Sequence, residues 1–175
     1  KRDDKGHAEI TLDFAQKLVK LENGDADVIV PAIILHDIGW SQVPVTERLL
    51  VFNKETAKED RARVVLMHQK AGVELAGNIL KTADYPPALS EEILEIISQH
   101  DSREGFISKN EGLVRDADKL WRVSKTGFET DIRRIKAENK ARIIELESAI
   151  DRNNYFYSES ARQIARLELE NRRKE

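Results

Sequence analysis

The sequence predicts an all-α protein, and three observations support this prediction. Apolar residues recur at spacings of three and four along most of the chain, as they do on the buried face of an amphipathic helix. The strict alternation of apolar and polar residues that is typical of a half-buried strand is nearly absent. Segments rich in Gly, Asn, Asp and Pro, such as ENGD at 22–25 and ADYPP at 83–87, separate the periodic stretches.

Two helices are predicted before the first long loop. Residues 6–21 carry a helical apolar stripe, and we interpret the apolar run 28–37 as a buried helix that Gly39 ends. Pro31 argues against a helix here, because an interior proline removes a backbone donor. Residues 40–58 have no clear period and are predicted to form a loop.

Three further helices are predicted in the middle of the chain. Residues 60–80 form the longest periodic stretch. The next helix is predicted to have Ser90 as its N-cap, and a polar loop is expected after His100. An amphipathic pattern resumes over residues 113–123, which predicts another helix.

The composition changes toward the C terminus. Apolar residues keep helical spacing from Ile132 to Ile150 amid dense charge, and a last helix is predicted to begin near Ser158. We therefore expect residues 1–125 to form a main helical bundle and residues 126–175 to form a C-terminal helical extension. The apolar stripe of this extension must pack on the bundle or on a second copy in a homodimer, and we favour packing within the chain.

Composition excludes several classes of function. The 175 residues favour one domain with an appended element, and the net charge of −3 provides no strong field for nucleic acid or an anionic membrane. No apolar run approaches the length of a membrane span. The chain has no cysteine, which excludes disulfides and thiolate metal sites and fits a reducing cytoplasm, where we expect the protein to act.

The four histidines of the chain are its most informative residues. Each falls on, or directly ends, a predicted apolar stripe, so all four are expected to face inward. Four separate buried imidazoles would leave many donors and acceptors to satisfy, whereas one shared metal centre satisfies them together. Imidazole and carboxylate are also the ligands that remain to a cysteine-free metal site. The sequence therefore predicts a metal centre built on His7, His36, His68 and His100.

A metal centre of this kind also needs carboxylates. Asp37 follows His36 directly, and the segment VRDADKLW at 114–121 offers Asp116 and Asp118. At about 100° per residue, Asp116 and Asp118 flank the apolar stripe on opposite sides. Periodicity therefore leaves the choice between these two aspartates open.

The ordered set of residues resembles the HD-domain superfamily of metal-dependent phosphohydrolases. His7, the His36–Asp37 pair and Asp118 match its H…HD…D signature, and His68 and His100 extend it to H…HD…H…H…D. The resemblance covers roughly residues 5–123. It favours Asp118 over Asp116, because family members usually carry this ligand directly after Ala and shortly before Leu. It implies a bundle of five or more helices, with residues 1–125 as the catalytic part.

The resemblance implies a phosphohydrolase that uses a metal-bound hydroxide to cleave a phosphomonoester or phosphodiester, with a nucleotide or related metabolite as the expected substrate. In the two-metal form, Asp37 would bridge the ions and act as the catalytic residue. The cofactors would be one or two divalent ions, and a His/Asp site does not distinguish Mn, Fe, Mg, Co, Ni and Zn.

Two other functions are compatible with this ligand set. The first is a di-iron oxygenase, since some HD proteins use the same six ligands to activate O₂. The second is a regulatory binding module that has lost activity. The cyclic-dinucleotide branch of the superfamily is disfavoured, because this chain has Trp40 where that branch typically has Lys and lacks its Gly-Tyr-Pro segment.

Overall fold

The computed structural model describes residues 4–53 and 55–174 of the chain. Within these residues the secondary structure is helical, without a strand, and the all-α prediction is confirmed. The α-helices of this part of the chain are α1 (His7–Glu22), α2 (Ala26–Leu35), α3 (Val45–Phe52), α4 (Lys58–Thr82), α5 (Pro87–Gln99), α6 (Lys109–Leu120), α7 (Lys125–Ile135), α8 (Asn139–Ile150) and α9 (Glu159–Lys174). Two short 3-10 helices, Ile38–Gln42 and Trp121–Val123, follow α2 and α6.

The proline in α2 is accommodated by a side chain from elsewhere in the fold. Pro31 cannot donate to the carbonyl group of Asp27 four residues earlier, which leaves that carbonyl without its helical partner. The hydroxyl group of Tyr85 donates to this oxygen at 2.6 Å. The apolar run therefore forms a helix, as predicted, because a distant tyrosine supplies a donor that the proline removes.

Gly39 does not end α2, so this part of the prediction is wrong. The helix ends at Leu35, and Gly39 lies in the 3-10 helix that packs against α4. A Cβ atom at Gly39 would lie 1.9 Å from the carbonyl oxygen of His68 and 2.4 Å from the backbone nitrogen of Gly72. A glycine is needed here because two backbones approach closely, and not because a helix terminates.

The predicted loop at 40–58 contains a helix, α3, and this prediction is also wrong. Leu50 and Val51 of α3 pack against a buried cluster formed by Trp40, Val43 and Val64. A helix of eight residues has little stability of its own in water, so contacts with this cluster account for its presence. Such contacts are tertiary and have no counterpart in local periodicity.

The predicted N-cap of α5 is wrong as well. The helix begins at Pro87, with Pro86 at the N-cap position, and Ser90 lies inside the first turn. Proline is favoured at the first helical position, since its missing N–H group would have no intrahelical partner there. The Ser90 backbone nitrogen instead donates to the carbonyl oxygen of Pro86 as an ordinary helical bond.

The backbone contacts divide the chain into two compact units. The first consists of residues within 27–104, where the first 3-10 helix, α3 and α5 all pack against α4. The second consists of residues within 4–26 and 105–174, where α6 packs against α1 and α9, and α8 packs against α9. Within the described part of the chain, no helix is both long enough and apolar enough to cross a membrane.

The C-terminal helices bury their apolar stripes within the second unit. Ile143, Leu146 and Ile150 of α8 are buried, as are Ile164 and Leu169 of α9. The α9 helix contacts both α1 and α6. The expected division into a catalytic bundle of residues 1–125 and an extension of residues 126–175 stays a prediction. The terminal residues of these two ranges, Lys1 and Glu175, lie outside the described residues.

Candidate metal centre

Two histidines of the first unit stand directly after the ends of helices and are held there in the same way. His36 follows α2, and its Nδ1–H group donates to the carbonyl oxygen of Ile33 at 2.7 Å. His100 follows α5, and its Nδ1–H group donates to the carbonyl oxygen of Ile97 at 2.8 Å. A carbonyl oxygen can only accept, so in the neutral ring the lone pair lies on Nε2, the state in which imidazole binds a metal ion.

The Nε2 atoms of His68 and His100 face each other and two carboxylates. These two nitrogens are 3.4 Å apart. Asp37 Oδ1 lies 3.9 Å from His68 Nε2 and 3.7 Å from His100 Nε2. Asp101 Oδ2 lies 3.4 Å and 3.6 Å from the same two nitrogens. Four donor atoms from three segments of the chain therefore surround one point, all within 4.8 Å of one another.

The carboxylate of Asp37 faces histidines on both of its sides. Its Oδ1 atom faces His68 and His100, whereas its Oδ2 atom lies 3.6 Å from His36 Nε2. The Nε1–H group of Trp40 donates to Oδ1 at 3.0 Å, which orients the carboxylate. One carboxylate group therefore offers a different oxygen to each of two sets of imidazoles.

The indole ring of Trp40 also covers one face of the cluster. It stacks on the imidazole ring of His68, with centroids 4.1 Å apart and planes inclined by 8°. The close approach at Gly39 brings this segment against α4, the helix that carries His68. Trp40 thus excludes water from one side of the His68 ring and aligns Asp37 at the same time.

The site is buried around its imidazoles and open at its carboxylates. His36, His68 and His100 are buried, whereas the side chain of Asp37 keeps 24% of its surface exposed and that of Asp101 keeps 37%. Burial lowers the pKa of His100, but the carboxylates of Asp101 and Asp37 raise it, and the net pKa lies above its ordinary value. The cluster therefore favours positive charge, which a metal cation would supply as well as a proton.

The remaining two predicted ligands lie together in the second unit. His7 is the first residue of α1 and Asp118 lies in the last turn of α6, the helix that packs against α1. Asp118 Oδ1 is 3.3 Å from His7 Nε2. The ring of His7 meets the ring of Trp121 edge to face, with centroids 5.0 Å apart. This contact fixes the orientation of His7 from the side.

Asp116 has a different set of partners. Its carboxylate accepts hydrogen bonds from the backbone nitrogens of Tyr157 and Ser158, at 2.7 and 2.8 Å, and from the Ser158 hydroxyl group at 2.7 Å. Burial raises the pKa of Asp116, although these hydrogen bonds oppose the shift. Ser158 in turn accepts from the backbone nitrogen of Ala161 in the first turn of α9. Asp116 therefore anchors the start of α9.

Asp101 was not predicted from the sequence, although a signal for it was present. The chain contains a second His-Asp dipeptide in QHDS at 99–102, and the predicted set of metal ligands includes only its histidine, His100. Like His36–Asp37, this dipeptide directly follows an apolar helix. Two identical dipeptides at two helix ends were the available clue.

The comparisons with known proteins agree with the fold. The model of the HD domain family matches residues 5–122, and the chain therefore belongs to the HD domain family. The structure is similar to the crystal structure of a predicted HD superfamily hydrolase from an uncultured Thermotogales bacterium, with a TM-score of 0.62 and 19% sequence identity. The match covers 97% of this chain and 75% of that one, and it shows the fold alone. No curated protein matches the chain.

The donor set fits a divalent ion. Neutral imidazole nitrogens held by backbone carbonyls, together with partly exposed carboxylates, are the groups that bind first-row divalent metals in the absence of cysteine. The expectation that buried His and Asp groups could hold metal is thus confirmed for the first unit.

Proposed function

We propose that this protein is a metal-dependent phosphohydrolase that cleaves a phosphomonoester or phosphodiester of a nucleotide or related metabolite. Its membership of the HD domain family and the buried His/Asp cluster support this proposal. The proposed ligands of one or two divalent ions are His7, His36, Asp37, His68, His100 and Asp118. A cytoplasmic location, in keeping with a chain without cysteine, is part of the same proposal.

The orientation of Asp37 is the observation that carries the proposal. A carboxylate that served one ion would need only one set of neighbouring ligands. Asp37 directs Oδ2 toward His36 and Oδ1 toward His68 and His100, which is the arrangement expected of a carboxylate shared between two cation positions. Asp37 is therefore the proposed catalytic residue.

Divalent ions bound here would lower the pKa of a coordinated water and offset the charge of phosphate oxygens. The protein's own contribution is to hold the donor atoms in place. The carbonyl groups of Ile33 and Ile97 keep the Nε2 lone pairs of His36 and His100 directed toward the cluster. Asp37 remains partly exposed, so a substrate can reach the group that the two positions share.

His7 and Asp118 enter the proposal through the ordered sequence signature of the family. Their 3.3 Å separation supports a role as a pair. The use of both Asp116 oxygens as acceptors for the start of α9 favours Asp118 over Asp116 as the ligand.

The test is a metal-dependent activity assay. The protein would be stripped of metal, reloaded separately with Mn²⁺, Fe²⁺, Co²⁺, Ni²⁺, Mg²⁺ or Zn²⁺, and offered a panel of nucleotide and sugar phosphomonoesters and phosphodiesters. Phosphate release measures cleavage of the monoesters, and chromatography of the products measures cleavage of the diesters. We expect hydrolysis with at least one metal, and a fall to the level of the metal-free protein in Asp37→Asn, since this change removes a charged ligand. Asp13→Asn, which alters an exposed carboxylate of α1, is the matched control.

Two results would refute the proposal. The first is an absence of phosphoester hydrolysis, of monoesters and diesters alike, across the panel in protein that binds metal. The second is oxygen uptake by the iron-loaded protein without hydrolysis of any phosphomonoester or phosphodiester, which would assign the site to oxygenase chemistry.

A further inference from the structure

The first unit contains two His-Asp dipeptides of nearly the same geometry, His36–Asp37 and His100–Asp101. In each, a histidine follows the last residue of a helix and donates from Nδ1 to the carbonyl oxygen three residues earlier. In each, an oxygen of the following aspartate lies 3.6 Å from the histidine Nε2 atom. The His100–Asp101 dipeptide thus repeats the arrangement of the His36–Asp37 dipeptide, which belongs to the family signature.

We propose that Asp101 is an additional metal ligand, which completes a four-donor position with His68, His100 and Asp37. The family signature does not include this residue. The inference rests on the metal centre of the proposed function but does not depend on the reaction that the centre catalyses.

The distances among the four donor atoms support this assignment. The five separations between His68 Nε2, His100 Nε2, Asp37 Oδ1 and Asp101 Oδ2 that involve at least one nitrogen range from 3.4 to 3.9 Å. A regular tetrahedron with edges of this length has its centre about 2.2 Å from each corner, close to the usual distances between Zn²⁺ and nitrogen or oxygen ligands. Without Asp101 this tetrahedron would lack its fourth donor atom.

The charge of Asp101 also has a chemical consequence. His68 and His100 are neutral donors, and Asp37 would share its single charge with a second ion. These three donors alone would leave most of the charge of a divalent ion uncompensated beside buried imidazole rings. A second carboxylate offsets that charge and gives the position two oxygen and two nitrogen donors, and carboxylate donors suit Mn²⁺ better than imidazole does. We therefore expect Asp101 to raise affinity for Mn²⁺ in particular.

The experiment is a calorimetric titration of the metal-free full-length protein with Mn²⁺, comparing wild type, Asp101→Asn and Glu104→Gln. Glu104 is an exposed acid in the same loop and serves as the control for a general loss of negative charge. We expect Asp101→Asn to weaken one Mn²⁺ position at least about tenfold, since even the loss of an outer partner of a metal ligand typically costs 10–100-fold. Because Asp101 is exposed, the melting temperature of the metal-free variant should stay close to that of wild type.

Several results would overturn the inference. Asp101→Asn with wild-type Mn²⁺ affinity would do so, whether or not its activity falls, and a fall would then assign Asp101 to contact with substrate. An equal loss in Glu104→Gln, or a crystal structure of the Mn²⁺-loaded protein with Asp101 beyond bonding distance of the ion, would do the same. Wild-type protein that binds Mn²⁺ through Asp101 but hydrolyses no phosphoester would refute the proposed reaction and leave this inference intact.

Discussion

The indole ring of Trp40 lies flat on the imidazole ring of His68, with centroids 4.1 Å apart and planes inclined by 8°. The same indole donates its Nε1–H group to Asp37 Oδ1 at 3.0 Å. One side chain therefore holds two neighbouring donor groups of the candidate metal centre. Partners of this kind orient metal ligands and influence their affinity, although they do not touch the ion.

Replacement of Trp40 by Phe should weaken metal binding. Phe can retain part of the stack on His68, but it has no N–H group to donate to Asp37. We expect a loss of about 10- to 100-fold in Mn²⁺ affinity, measured by calorimetry. Val43→Ala is the matched control, because Val43 belongs to the same buried cluster as Trp40 and makes no hydrogen bond to the donor groups through its side chain. Equal losses in the two variants would show that packing alone, and not the bond to Asp37, is responsible.

Asp116 and Asp118 should respond differently to the same substitution. Asp118→Asn should lower the metal content, measured by mass spectrometry, while the melting temperature in chelator changes little. Asp116→Asn should retain metal and lose about 1–3 kcal/mol of unfolding free energy, because its amide NH₂ group would face donors at the start of α9. The reverse pattern, with metal lost from Asp116→Asn alone, would exchange the two assignments.

The free energy of unfolding of the metal-free protein should depend on the titration of Lys119 at alkaline pH. Burial, followed by the charge of Arg115, lowers the pKa of Lys119 from 10.5 to about 8. Between these values the folded protein has released a proton that the unfolded chain still binds, so the contribution of Lys119 to stability rises with pH. Lys119→Met removes this contribution.

We therefore expect the unfolding free energy of wild type, relative to Lys119→Met, to increase between about pH 7.5 and about pH 10. Urea denaturation in the presence of chelator measures both proteins under the same conditions, so other titrating groups largely cancel in the difference. A difference that is constant over this interval would mean that Lys119 titrates at its ordinary pKa.

Charges placed on the buried face of α8 should destabilise the protein without changing its molecular mass in solution, which reports its oligomeric state. Ile143 and Leu146 are buried, whereas Ile144 on the same helix is 56% exposed. We expect Ile143→Asp and Leu146→Asp each to cost at least about 3 kcal/mol of unfolding free energy, and Ile144→Asp to cost less than about 1 kcal/mol. Thermal unfolding measures the first effect and light scattering the mass. A mass that falls toward one chain in the buried-face variants would identify this face as a dimer surface instead.

Much of the fold and most of the candidate site followed from the order of residues. The stripe of residues 6–21 predicted α1 almost to the residue, because helix faces follow directly from a period of 3.6 residues. The four histidines could be placed on inward faces by the same rule. Their residue type and the absence of cysteine limited the chemistry to imidazole and carboxylate ligands.

The features that sequence analysis missed depend on contacts between distant segments. The α3 helix exists because Leu50 and Val51 meet a buried cluster, and Pro31 is tolerated in α2 because Tyr85 donates to the carbonyl oxygen of Asp27. Neither partner lies near enough in the chain to affect local periodicity.

The sequence by itself determined the helical class, the family and the pool of metal-binding side chains, since these depend on local spacing and residue type. The tertiary structure decided which members of that pool meet: it set Asp118 beside His7, used Asp116 to anchor α9, and brought Asp101 to within 3.4 Å of His68. Spacing along a helix specifies the face on which a side chain lies, but the partner opposite that face comes from another segment. That partner is determined only when the helices pack.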